Sequence, residues 1–91
     1  MEAEASPIFV VTLRGLETPG GPPLDVLAFT EAPDEAAAMA RAVGEMVGLG
    51  WVEVEALRAG EVTDEAALPE DFTDAFAAAR RFGCAPIIYD P

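Results

Sequence analysis

Four residue types are missing from this chain of 91 residues: it contains no histidine, lysine, asparagine or glutamine. Each absence removes some chemistry. Without His there is no imidazole base, without Lys no Schiff-base amine or P-loop lysine, and without Asn or Gln no side-chain amide to line an oxyanion hole. Cysteine occurs once, at Cys84, so no intramolecular disulfide can form, and the default setting is a reduced cytoplasm. Positive charge is scarce too: five Arg face 17 Asp and Glu, for a formal charge of -12. Phosphate contact needs a basic patch, so direct binding to nucleic acid or to an anionic membrane is not expected. No apolar run approaches the ~18–20 residues that cross a bilayer. The opening Met1-Glu2-Ala3-Glu4-Ala5-Ser6 lacks the order of a signal peptide.

What remains is apolar enough to fold. Hydrophobic residues make up 52 % and the mean hydropathy is +0.26, which places the chain among globular proteins despite its charge. The length fits one small domain over 1–91, with 1–6 expected to be disordered. Abundant Ala, Gly and Pro, with Lys, Asn, Gln and His all absent, indicate GC-rich coding, which accounts for the missing Lys. It does not account for the acidity, because Arg was available and is used sparingly.

Ile8-Phe9-Val10-Val11-Thr12-Leu13 is rich in β-branched and aromatic residues and reads as a strand, as does Leu24 to Thr30. The Gly- and Pro-rich stretch between them makes a long-looped hairpin. Pro33, Asp34 and Glu35 open a helix whose Ala36, Met39, Ala40, Val43 and Met46 or Val47 fall on one stripe, with Gly48 and Gly50 to end it. Trp51 to Arg58 alternates, with Val52, Val54 and Ala56 on one side and Glu53 and Glu55 on the other. A second helix opens at Pro69-Glu70-Asp71, carries Leu68, Phe72, Phe76, Ala79 and Phe82 on one face and stops at Gly83. Pro86 to Tyr89 is a short last strand, where Pro86 suits a strand start or an edge.

The order ββαβαβ implies an α+β fold: a two-layer α/β sandwich whose four-stranded sheet carries both helices on one face, with the second to fourth strands parallel through right-handed crossovers. The other face would then be open. It would present Glu53 and Glu55 with aliphatic residues of the first strand, and a mixed surface of that kind suits association.

Two sets of residues stand out. Glu53, Glu55, Glu61, Asp64 and Glu65 are carboxylates that helix-start chemistry leaves unexplained, unlike Asp34, Glu35, Glu70 and Asp71, and they are the candidate partner-binding set. Ile8, Val10 and Trp51 are candidate anchors of an oligomer interface, although a two-fold axis there would bring Glu53 and Glu55 of two copies together. The acids from Asp64 to Asp74 offer oxygen ligands for a divalent cation, but the spacing of a calcium loop is absent, so no metal site and no cofactor are expected. Cys84, after a helix C-terminus, reads as a structural thiol. No catalytic residue is nominated.

These readings point to a small acidic, non-enzymatic module that docks carboxylates onto a basic surface of a partner protein, with loss of affinity in salt as its signature. In size and charge the chain resembles phage-encoded inhibitors of restriction or CRISPR systems, acidic single domains that occupy nucleic-acid grooves on other proteins. That resemblance rests on no motif and implies a nucleic-acid-binding complex as the partner. The alternatives are a homo-oligomeric accessory subunit joined through the open sheet face and a divalent-metal-dependent protein using segment 64–74.

Overall fold

The computed structural model describes residues 6–89, the side chains of Glu65 and Tyr89 excepted. Residues 1–5 of the segment expected to be disordered lie outside the described residues. Ser6 lies within them, and its carbonyl oxygen accepts a hydrogen bond from the Arg80 guanidinium. The elements are β1 (Ile8–Leu16), β2 (Pro23–Glu31), α1 (Glu35–Gly48), β3 (Val52–Glu61), a 3-10 turn (Glu65–Ala67), α2 (Glu70–Phe82) and β4 (Cys84–Tyr89), which is the ββαβαβ order of an α+β domain. Among the described residues no helix is long and apolar enough to cross a membrane.

β1 and β2 pair antiparallel as a hairpin. Its loop is closed at Gly21, whose N–H donates to the Thr18 carbonyl at 3.0 Å. The sheet order is β3-β1-β2-β4, and all three pairings are antiparallel. The expected parallel neighbours therefore do not occur. The hairpin takes both inner places, so each later strand adds at a free edge, β3 beside β1 and β4 beside β2. Pro86 sits on an edge strand, where a residue without an N–H is tolerated.

The helices do not share a face. α1 packs Ala38, Ala42 and Met46 onto Phe9, Val11, Leu13, Leu24, Val26 and Ala28. α2 packs Phe76 and Ala79, flanked by Leu68, Phe72 and Ala75, onto Ile8 and Phe29 on the opposite side. The cause lies in the hairpin. Both of its faces are apolar, and a sheet face of that kind has to be covered by another layer. Each helix covers only part of its side: α1 lies mainly over β3 and β1, and α2 over β4 and β2.

Asp34 caps α1 by accepting the Ala37 N–H at 2.8 Å. The buried stripe of α1 runs through Ala38 and Ala42, while Ala36 and Ala40 are exposed. Gly83 ends α2 at φ 97, its N–H donating to the Ala79 carbonyl. Phe82 departs from the expected apolar face: it is 68 % exposed, and the Arg81 guanidinium lies over its ring at 5.2 Å.

β3 departs furthest from plain alternation. Its pairing with β1 slips between Thr12 and Leu13 and again between Arg14 and Leu16, so β3 carries an extra residue at Leu57 and another near Glu53. Glu53 takes φ 52, a left-handed conformation that costs a non-glycine residue roughly 1 kcal/mol. The slips re-aim the strand. Val54, Ala56 and Ala59 face α1, Val52 pairs with Leu16 away from them, and Arg58 turns to the α2 side opposite Thr12. Gly15 allows this close fit, because a Cβ there would meet the Val54 side chain at 3.1 Å and the Trp51 ring at 3.3 Å.

Candidate functional site

The acidic candidates lie along the β3 edge and into the loop that follows it. Glu53, Glu55, Glu61 and Asp64 are all exposed, and the side chain of Glu65 lies outside the described residues. They do not converge. Glu55 stands opposite Arg14 on the α2 side, whereas Glu61 stands opposite Phe9 on the α1 side. About six residues of strand, roughly 20 Å, separate the two. Asp64 is engaged locally, since its Oδ1 accepts the Ala66 N–H and its carbonyl the Ala67 N–H, both at 3.1 Å, which caps the 3-10 turn. Among the described residues no three His, Cys, Asp or Glu side chains group as a metal site.

Ile8 and Trp51 are buried and so are not placed to anchor an oligomer interface. Ile8 is 1 % and Trp51 5 % exposed, and they belong to different cores, Ile8 under α2 and Trp51 beneath the end of α1. Ile8 is covered because α2 occupies the side that a one-faced sandwich would leave open. Trp51 is held by its N–H bond to the Met46 carbonyl, 3.1 Å. Val10 is half-buried at the margin of the α2 cluster.

Because α2 rests mainly on β4 and β2 and reaches β1 only at its Ile8 end, the rest of β1 and all of β3 stay open on this side. Two adjoining grooves occupy it. The first, about 510 Å³, is lined by Thr12, Arg14, Asp25, Leu27, Leu57 and Arg58. The second, about 400 Å³, runs from Val10 and Phe29 to Leu68, Pro69 and Phe72 at the start of α2. Thr12, Leu27 and Arg58 line both, which makes the two one continuous depression. Its polarity is graded by cross-strand rows. Glu55, Arg14 and Asp25 form a charged row, Arg58, Thr12 and Leu27 a mixed one, and Gly60, Val10 and Phe29 an apolar one.

The charged row includes an exposed ion pair, Arg14 Nε to Asp25 Oδ1 at 3.3 Å, of small energetic value. Three other arginines are engaged elsewhere. Arg41 donates to the Glu31 carbonyl at 3.2 Å rather than pairing with Glu45 as its spacing suggests, Arg80 pairs with the Glu31 carboxylate at 3.0 Å, and Arg81 covers Phe82. Arg58 has no ion-pair partner among the described residues. Strict alternation would group Arg58 with Ala56, beneath α1. The extra residue at Leu57 has no signal in composition or spacing, so this groove could not be read from the sequence.

Cys84 is half-buried against the α1 core, with its Sγ 3.5 Å from the Thr30 hydroxyl. Burial pushes the thiol above its ordinary range and Glu45 adds to the shift, while the Thr30 hydrogen bond and Arg41 oppose it. The folded state therefore holds this proton more tightly than the unfolded chain. The resulting stability is fully present below the unfolded value, about 8.5, and is lost as pH rises through the folded value. Urea unfolding should show stability falling above about pH 8.5, a slope that Cys84→Ser removes. Iodoacetamide should alkylate the native thiol more slowly than the unfolded one. Equal alkylation rates would contradict the assignment.

Comparison with family models, curated proteins and solved structures gave no significant match, so the reading of this surface rests on its own chemistry.

Proposed function

We propose that this chain is a small acidic, non-enzymatic module that docks carboxylates onto a basic surface of a partner protein. The observation that carries the reading is the outer edge of the sheet. β3 ends the sheet and presents Glu53, Glu55 and Glu61 to solvent, with no cation paired to them among the described residues. Like charges along an edge strand oppose pairing with a second copy of the same strand. They favour a basic surface, and they steer its approach through a field set by the net charge of -12. Such a partner would be a nucleic-acid-binding complex whose groove the acids occupy, in the manner of a phage-encoded inhibitor acting in a reducing cytoplasm.

The test is capture of the partner from host lysate by the wild-type chain and by the variant Glu53→Gln/Glu55→Gln/Glu61→Gln/Asp64→Asn. The affinity of the captured partner is then measured at about 0.05 and 0.5 M salt. Wild-type affinity should fall at least tenfold at the higher salt, and the neutralised variant should bind weakly at both. Affinity independent of salt, or unchanged in the variant, would remove this function.

A further inference from the structure

We propose that the open groove beside α2 binds a small amphipathic monocarboxylate, its headgroup held by Arg58 and Thr12 and its apolar body lying over Leu27 and Val10 toward Leu68 and Phe72. Arg58 is the anomaly that leads there. In a chain with 17 acids and five arginines, Arg58 alone among the described arginines has no ion pair, side-chain hydrogen bond or aromatic contact, and it lies in the wall shared by two grooves. A planar guanidinium binds a carboxylate through two parallel N–H bonds, and the Thr12 hydroxyl, directly opposite on β1, supplies another donor.

The rest of the groove sets the ligand class. Its far end is apolar, formed by Val10, Phe29, Leu68 and Phe72, so a headgroup alone would leave it unfilled. Two adjoining spaces of about 510 and 400 Å³ fall in the usual range for small-molecule sites. Arg14 is already paired with Asp25 and has Glu55 across from it, which leaves the Arg58 guanidinium as the cation for a headgroup. A single negative charge matches it, whereas a polyphosphate would add charges with no counterpart in a protein at -12. Of the acidic β3 edge only Glu55 borders the groove, at its charged end; the site is tested at Arg58 with every acid intact, so failure of partner capture and failure of this site are separate results.

Decanoate is a suitable probe, with decanol as its uncharged counterpart, each titrated into the isotopically labelled chain below its aggregation concentration and followed by amide chemical shifts. Decanoate should give saturable shifts centred on Val10, Thr12, Leu27, Arg58 and Phe72. Arg58→Ala should weaken decanoate at least tenfold and leave decanol unchanged, and Arg58→Lys should restore part of the loss. The amide spectrum itself reports that each variant is folded. Absence of saturable shifts, shifts centred on Leu49 or Phe82, equal affinity for acid and alcohol, or unchanged decanoate affinity in Arg58→Ala would each overturn the proposal.

Discussion

Phe29→Ala should lower the stability of this domain by about 3–5 kcal/mol. Phe29 is 1 % exposed on an inner strand, at the centre of the cluster with Ile8, Phe76 and Ala79. Its ring meets that of Phe72 at 5.7 Å and 58°, a tilted contact of the kind that adds to area burial. Truncation removes the surface on which α2 rests, and neighbours fixed in a hydrogen-bonded sheet have little room to collapse into the space. A domain of this length has a total stability of roughly 5–14 kcal/mol, so the loss is a large fraction of it. Thermal unfolding followed by far-UV circular dichroism should show the midpoint falling by roughly 15–30 °C. A drop of less than about 5 °C would mean that α2 does not rest on this side of the sheet.

Met46→Ala should cost about 2–5 kcal/mol and leave a different trace. Met46 is 1 % exposed and closes the end of the α1 core next to Trp51, the only tryptophan. The two residues are also joined through the Trp51 N–H to the Met46 carbonyl. Loosening this corner lets water reach the indole before global unfolding. Native Met46→Ala should therefore show red-shifted emission and stronger quenching by acrylamide, whereas native Phe29→Ala, altered on the other side of the sheet, should keep the wild-type spectrum. If both variants shift the emission alike, the two cores are not separated by the sheet as described.

The legible parts of the fold are those whose local chemistry has one answer. The run from Glu17 to Pro22 cannot continue a strand, so the hairpin follows. In α2, bulky aromatics spaced by four residues stand out against Ala and charge, and its stripe is found as expected except at Phe82. α1 is harder to phase. With Ala at 36, 37, 38, 40 and 42, several stripes look alike, and the buried one is set by packing against Val11 and Val26 rather than by contrast along the helix.

Strand order is a non-local property, and the signal for it was the two-sided apolarity of β1. Ile8 and Phe9 are both core residues, which already implies a layer on each side of the sheet. Of the candidate site, the exposure of Glu53 and Glu55 was legible from alternation, but Glu61 lies beyond the alternating run from Trp51 to Arg58, and its place on the other side of the strand from Glu55 was not legible. The slip at Leu57 depends on how β3 lies against β1, which no single segment encodes.

That slip gives β3 a spare residue, and with it a tolerance to changes in chain length that its neighbour lacks. Deleting Leu57 would join Ala56 directly to Arg58, whose partners Leu13 and Thr12 are already consecutive on β1, so the ladder would close into plain alternation from Glu55 to Glu61. Arg58 would stay in the groove and Ala59 under α1. Leu57 is exposed and outside both cores, so little packing goes with it. β1 holds no such reserve, because its pairing with β2 runs unbroken from Ile8 to Leu16. Losing Val11 there would turn one part of the strand over against the other and set Thr12 among the apolar side chains beneath α1. A single-codon deletion would thus be absorbed on the outer strand and disruptive on the inner one.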